Sequence, residues 1–410
     1  MINCTSPIAV PPQLFEPSPG WRWHKLNTIA RLESGHTPSR QRADWWGGDV
    51  SWLSLTEIRA LDGSWVESTR LRTNEQGIAN SAARVLPKGT VCLSRTASVG
   101  YVAIMAKPMA TSQDFANWVC GEDLDPDFLM YALMCSRPQL REMATGATHK
   151  TIYMPLLESF YICSPHVAEQ RQIAKRLRYQ LPEAERARLA GELQAEDIAL
   201  LRRRVLMEAF AAVADVPRKR LGDYAFTTSG STPSRTNGAY WKLAEIPWVK
   251  TGEVAFSPIT QTEEAISAKA LNECSLSLLP PETVLVAMYG QGKTRGQSAV
   301  LKVPATTNQA CFAILPNETW DPEFLFHWLM ASYHDLRALS EGRGGNQANL
   351  NGALLNALEI PAPSREQQVA IARRAQDALS EVGALAAANT AQQKELDRLP
   401  QRLLAQAFAH

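Results

Sequence analysis

At 410 residues and 45 % hydrophobic content, the chain is too long for one ordinary core and apolar enough to pack two or three domains. Its 42 Lys and Arg against 41 Asp and Glu give no global pull on nucleic acid, so any such surface has to be local. Seven scattered cysteines without a C-x-x-C read as free thiols of a reducing compartment. No signal peptide opens the chain and no apolar run approaches about 18 residues, so a soluble, cytoplasmic protein with no membrane partner is expected.

In chain order, residues 1–20 hold five prolines and read as a poorly ordered N-terminal arm. A globular unit over 21–165 opens on Ser34-Gly35-His36-Thr37-Pro38-Ser39-Arg40, followed by Trp45-Trp46 and Val50-Ser51-Trp52-Leu53. β-rich runs follow at Val91–Leu93, Tyr101–Met105 and Phe115–Cys120. Asp125 then caps a helix that starts with Pro126, and a polar loop runs from Thr145 to Lys150. A short strand ends at Pro165, and a long helix occupies much of 166–215.

The same order returns over 216–362 and 363–410. Ser229-Gly230-Ser231-Thr232-Pro233-Ser234-Arg235 repeats the first motif at an offset of 195 residues, with Tyr240-Trp241 and Ile246-Pro247-Trp248-Val249 behind it. Val284–Met288, Ser298–Val303 and Ala310–Leu315 repeat the strands, and Asp321-Pro322 repeats the helix start. A tandem duplication is the only economical reading of so many ordered matches.

Both long helices carry a four-three seam. Ile371, Ala375, Ala378, Val382, Leu385, Asn389, Gln392, Leu396, Leu399 and Leu403 match, at an offset of 198, Ile173, Leu177, Gln180, Ala184, Ala187, Gly191, Gln194, Ile198, Leu201 and Val205. That rhythm is the a/d pattern of a coiled coil, and its small middle positions let two backbones approach. Each seam covers 33 residues, about 50 Å of helix at about 1.5 Å per residue. Antiparallel pairing places Ile173 near Leu403, Leu177 near Leu399 and Val205 near Ile371. Pro182 and Pro400 are each expected to kink or interrupt their helix. The fold class is therefore α/β (α+β): two similar mixed α/β domains separated by two long helices that pair as an antiparallel coiled coil, a pseudo-twofold tandem repeat. Such a protein suits a pseudo-twofold ligand, and duplex DNA is the common one.

Signals for catalysis are sparse. Gly290-Gln291-Gly292-Lys293-Thr294 resembles the end of a phosphate-binding loop, but Ala287 occupies the place of its first glycine. There is no H-E-x-x-H, no Cys/His cluster of metal spacing, no G-x-S-x-G and no amino-methyltransferase N-P-P-Y or D-P-P-Y string. Side chains suited to base edges concentrate in the polar loops. In the first unit these candidates are Thr37, Ser39, Arg40, Arg42, Ser94, Arg95, Gln113, Thr148, His149 and Lys150. In the second they are Thr232, Ser234, Arg235, Tyr289, Gln291, Lys293, Arg295, Asn308, Gln309, Arg343, Asn346, Gln347 and Asn349. For each, a solvated loop residue is the competing explanation, while Trp52 and Trp248 read as core. Arg202–Arg204 and Arg218–Arg220 could reach phosphates, the first being more simply a solvated helix face.

The combination of S-G-x-T-P-S-R, the I/V-x-W that follows, the glycines at Gly100 and Gly292, and the segment from Pro165 through Glu169-Gln170 to Ile173 resembles the specificity (S) subunits of type I restriction–modification systems. The last segment recurs at Pro363, Glu366-Gln367 and Ile371, and each long helix closes on an Ala-Phe pair, Ala209-Phe210 and Ala407-Phe408. The resemblance covers nearly all of residues 21–410. It implies two target-recognition domains reading the halves of a bipartite double-stranded DNA target. It also implies two methyltransferase (M) subunits docked on the helices, restriction/translocase (R) subunits joining later, and no catalysis by this chain. No cofactor would bind here; S-adenosylmethionine, ATP and magnesium would belong to the partners. Ser94–Gly100 differs from Met288–Lys293, so the two domains should read different half-sites. The rival readings are a divergent DNA-modifying enzyme, a methyltransferase or NTPase built on Gly290–Thr294, and a two-domain scaffold that does not bind DNA.

Overall fold

The structure, a computed structural model, describes residues 6–11, 15–146, 150–290, 292–340 and 349–409. It divides into two compact units, the first comprising 1–191 with 392–410 and the second 192–391. Each unit thus holds one α/β domain with parts of both long helices, a division that cuts across the linear boundaries read from the sequence.

In the first unit a five-stranded sheet runs in the order Ala30–Ser34, Phe115–Cys120, Val91–Ser94, Val102–Met105, Trp65–Val66. All its pairs are antiparallel except the last. Both faces are covered, so the central strands are buried throughout, and the period of two sorts their side chains. Val91, Leu93, Val102, Ile104 and Trp118 face the helix Pro126–Cys135. Cys92, Ala103, Met105 and Phe115 face a second cluster with Leu53, Ile58 and Val66. A three-stranded sheet, Leu71–Thr73, Trp46–Leu53, Ala110–Thr111, adjoins it.

The second unit repeats this plan in the order Thr227–Ser229, Cys311–Ile314, Val284–Ala287, Ser298–Leu301, Pro258–Ile259. Val284, Val286, Val300 and Phe312 face the helix Pro322–Ala331, while Leu285, Ala287, Ala299 and Cys311 face the opposite cluster. The helix of each α/β domain starts as the sequence predicts. Asp125 Oδ1 accepts from Phe128 N at 3.1 Å, Asp321 Oδ1 accepts from Glu323 N and Phe324 N at 3.0 and 3.2 Å, and a proline opens each helix.

The N-terminal arm is not wholly loose. Ile8–Ala9 forms a buried strand antiparallel to Tyr161–Ile162. This strand pairing, with Cys163 N donating to Pro7 O at 2.9 Å, and the burial of Ile8 against the sheet-and-helix core outweigh the proline content around it.

The long helices span Val167–Ala211 and Arg365–Ala407 and pass through Pro182 and Pro400 without interruption. The turns around each proline are anchored, by Leu177, Leu181 and Ala184 in one and by Leu403, Leu404 and Phe408 in the other. That packing offsets the roughly 3 kcal/mol that an interior proline costs. Within the first unit, the start of the first long helix (Ile173, Ala174, Leu177) shares a core with the end of the second (Leu404, Ala407, Phe408). Within the second unit, the end of the first (Leu206, Ala209) shares a core with the start of the second (Ile371, Ala372, Ala375). The helices therefore pair antiparallel. Gly191 sits against Gln393, whose Nε2 donates to Arg188 O at 3.3 Å; a Cβ on Gly191 would lie 2.3 Å from Gln393 Oε1.

Of the seam residues, Ile173, Leu177, Ile198 and Ile371 are buried, and Val205, Leu396, Leu399 and Leu403 are half-buried. Leu201 and Leu385 are 39 % and 42 % exposed. Near the ends burial moves one place along, to Leu206 and Leu404, because a 3.6-residue turn drifts by about 20° per heptad from a strict repeat.

A buried glutamine locks each long helix to its domain. Gln170 Oε1 accepts from Asp125 N at 2.9 Å, and its Nε2 donates to Asp123 O and Pro165 O at 3.0 and 2.9 Å. Gln368 Oε1 accepts from Asp321 N at 2.6 Å, and its Nε2 donates to Thr319 O and Pro363 O at 2.9 Å each. The counterpart of Gln170 is thus Gln368, not Gln367. Gln367 is exposed and forms a capping box with Ser364. Gln170→Ala or Gln368→Ala should lower stability by about 3 kcal/mol, since each strands three backbone groups. Gln367→Ala should cost about 1 kcal/mol, the usual worth of a cap. Urea unfolding of the full chain separates the two classes.

Candidate nucleic-acid interface

The S-G-x-T-P-S-R strings build the same object twice. In the first unit His36 N donates to Thr111 O at 3.0 Å, and the Thr37 hydroxyl donates to Gln113 Oε1 at 2.5 Å. In the second, Ser231 N donates to Thr307 O at 3.0 Å, and Thr232 donates to Gln309 Oε1 at 2.5 Å. The glycine before each contact has no room for a side chain. A Cβ would lie 2.1 Å from Thr111 Oγ1 at Gly35 and 1.8 Å from Thr307 O at Gly230.

Two indoles hold the turn that follows. Trp52 Nε1 donates to His36 O at 3.1 Å and Trp46 Nε1 to Ser39 O at 3.2 Å. Trp248 and Trp241 repeat this with Ser231 O and Ser234 O at 3.0 and 3.1 Å. The rings meet edge to face, with centroids 5.0 and 5.3 Å apart. Trp52 and Trp248 are core residues, each 1 % exposed. Arg40 lies over Trp46 and Trp52 at 5.5 and 5.7 Å, and Arg235 over Trp241 and Trp248 at 3.8 and 5.1 Å. Each motif thus presents an exposed arginine on an indole pair, next to exposed Ser39 or Ser234 and the Thr–Gln pair.

The surroundings of these arginines differ. Arg235 is paired to Glu264 at 2.5 Å, and Glu264 also meets Lys250 at 3.2 Å. The hydrogen bond from Arg235, joined by that from Lys250, holds the Glu264 carboxyl below its usual range. Strand pairing puts Leu71 opposite Trp52 where Glu264 stands opposite Trp248. Arg40 therefore has no carboxylate partner among the described residues. Arg42 is bound to Asp44 at 2.7 Å and lies over Trp45 at 5.0 Å. Lys250, Glu263 and Glu264 escaped the sequence reading; the strand register that brings them beside Arg235 has no local signature.

Several candidates are occupied by the scaffold. Ser94 is buried and donates to Ser98 O. Arg95 donates to Gln113 O at 3.1 and 2.8 Å and to Ile152 O at 3.3 Å. Asn308 Oδ1 accepts from Thr251 Oγ1 at 2.9 Å and Ala310 N at 3.1 Å. Arg295 is buried. Lys150, Tyr289, Lys293 and Asn349 are exposed. Thr148, His149, Gln291, Arg343, Asn346 and Gln347 lie outside the described residues.

The Gly290–Thr294 turn follows the strand Val284–Ala287 but leads into the strand Ser298–Leu301, not a helix. A phosphate-binding loop needs the helix N-terminus behind it. Here Lys293 O accepts from the Tyr333 hydroxyl at 2.7 Å and Gly292 O from Arg337 Nη1 at 2.8 Å, so the turn is tied to the neighbouring helix Tyr333–Ser340. Among the described residues no cluster of His, Cys, Asp and Glu could hold a metal ion, and no helix is long and apolar enough to cross a membrane.

Two similar domains, each with an indole-backed arginine and each clasped to a long helix, define a duplicated recognition scaffold. The family model of the type I restriction modification DNA specificity domain matches residues 19–185 and 215–396, and the chain belongs to that family. It is 24 % identical over 289 residues to the type I restriction enzyme MjaIX specificity subunit of Methanocaldococcus jannaschii, covering 66 % of each chain. It is 26 % identical over 155 residues to the EcoR124I/EcoR124II specificity subunit of Escherichia coli, covering 38 % of each. These alignments thus span less than two thirds of either relative. In fold it is similar to a chain from a structure of type I R-M system assembly and conformational transition (TM-score 0.73, 20 % identity, 96 % of this chain and 99 % of that one). It is also similar to the HsdS subunit from Thermoanaerobacter tengcongensis (TM-score 0.66, 20 % identity, 96 % and 98 %).

Gly230→Ala should destabilise the second domain by about 3 kcal/mol, because the new methyl meets backbone that cannot step aside. A lower melting midpoint with the first domain still protected in hydrogen exchange is the expected result.

Proposed function

We propose that this chain is the sequence-reading, non-catalytic subunit of a type I restriction–modification complex. Each recognition domain reads one half of a bipartite duplex DNA target. The paired helices set the gap between the halves and carry two methyltransferase subunits, with R subunits joining that assembly. S-adenosylmethionine, ATP and magnesium act on those partners. The observation that carries this reading is the duplicated scaffold with divergent exposed chemistry: the same indole-backed arginine, with Leu71 beside one copy and Glu264 beside the other. Two equal frames with unequal surfaces suit two different half-sites. Exposed apolar side chains on the long helices, among them Tyr179, Leu193, Leu200 and Val369, suit docking of partner subunits. The turn at Gly290–Thr294 gives the NTPase alternative no helix to bind phosphate, and nothing favours the scaffold alternative.

Wrong bases typically cost about 1–3 kcal/mol each, so several must be read per half-site for useful discrimination. Exchanging residues 216–362 for those of a relative with another specificity should change methylation by the reconstituted complex at one half-site only. A change at both half-sites, or at neither, overturns the modular reading. Inserting four residues after Ala190 adds about 6 Å of helix and should lengthen the unread gap in the methylated target. An unchanged gap would remove the helices from the spacing role.

A further inference from the structure

A concavity of about 270 Å³ on the first unit is lined by Arg59, Ser98, Tyr101, Arg141 and Lys150, with Ala97, Val99 and Ala144 completing its wall. Three arginines converge on the Tyr101 ring: Arg59 at 5.6 Å, Arg137 at 5.1 Å and Arg141 at 5.7 Å. Arg137 is neutralised, its Nη2 donating to both Asp62 oxygens at 2.8 and 2.6 Å and its Nε to Gly100 O at 2.8 Å. Arg59, Arg141 and Lys150 have no carboxylate partner among the described residues, and no acid lines the concavity. Arg141 donates Nε to Val99 O at 3.1 Å, and Arg59 reaches Ser98 Oγ only at 3.5 Å. Most of their N–H donors are left unused.

Cations gathered at one concavity repel one another unless an anion joins them. The Tyr101 ring and the Val99 carbonyl hold the guanidinium groups in place beforehand, which reduces the ordering cost of binding. Two guanidinium forks, an ammonium and a hydroxyl surrounding a small space suit a tetrahedral oxyanion. Among its described residues the second unit lacks this arrangement. Gln297 and Tyr333 stand where Tyr101 and Arg137 do, and Arg337, the counterpart of Arg141, spends Nη1 on the carbonyls of Gly292 and Arg295 at 2.8 and 3.2 Å.

We infer that Arg59, Arg141 and Lys150 of the first recognition domain clasp one phosphate of the DNA backbone. This rests on the DNA-reading function proposed above. It assigns the group a positioning role without base preference.

The test measures affinity of the full chain for a duplex carrying its target and for one without it, across a salt series. Arg59→Gln/Arg141→Gln should weaken binding to both duplexes by roughly tenfold. It should also reduce the slope of log affinity against log salt by about 0.9, the value for one phosphate. Lys150→Gln, on the exposed rim, should act in the same direction even if the double variant folds poorly. Arg59→Lys/Arg141→Lys should keep the slope. An unchanged slope, or a loss confined to the target duplex, overturns the clasp. So does saturable binding of inorganic phosphate that the double variant loses while its DNA slope stays the same. If the unaltered chain binds no duplex at all, the DNA-reading function itself falls; if it binds and only the variants are silent, the clasp alone falls.

Discussion

The architecture depends on two buried glutamine side chains. Gln170 and Gln368 each bond three backbone groups at the place where a recognition domain meets a long helix. No apolar contact could supply this directionality. A hydrophobic seam tolerates sliding and rotation, whereas a primary amide bonded to three fixed groups tolerates neither. The same contact joins two caps: the Asp125 and Asp321 side chains start the domain helix while their backbone N–H groups are held by the glutamine on the long helix. Domain and helix are thereby set at one angle in each unit, which any reader on a fixed frame requires.

Because the chain is duplicated, each half is a control for the other. Features present in both are the frame: the Thr–Gln bond, the paired indoles, the glycine without room for a methyl, and the glutamine. Features present in one are where the halves have parted. Trp65 donates to Asp127 Oδ1 at 2.9 Å in the first unit, but Pro258 takes its strand position in the second. A cavity of about 480 Å³ opens there, lined by Pro258, Lys302, Glu323, His327, Val369 and Gln376. His327 lies buried beside it, and that burial lowers its proton affinity. The acidic group around Arg235 and the cationic concavity around Tyr101 are likewise unmatched among the described residues.

Much of this was legible in the residues. Ordered matches at offsets of 193 to 198 residues exposed the duplication, and the four-three rhythm gave the helix pair, because both are one-dimensional patterns. Strand limits came within a residue or two for the same reason. The exchange of Gln368 for Gln367 came from matching the Glu-Gln string, at an offset of 197, when the seam offset of 198 pairs Gln170 with Gln368. The roles of Ser94, Arg95 and Asn308 were hidden. Their polar chemistry suits a base edge or a backbone carbonyl equally, and only the fold decides which is near. The shift of burial from Val205 to Leu206 and from Leu403 to Leu404 shows the limit of a strict heptad applied to straight helices.

The end of each long helix completes the core of the domain at the start of the other: Phe408 meets Phe128 with ring centroids 5.2 Å apart, and Phe210 meets Phe324 at 5.4 Å. The second unit is one continuous stretch of chain, but the first is closed by residues that come after all of it. During synthesis, the domain made first therefore waits for the closing turns of the second long helix before its apolar surface is sealed, while the domain made second can close without them. The usual order of N-terminal before C-terminal folding is reversed here by connectivity alone.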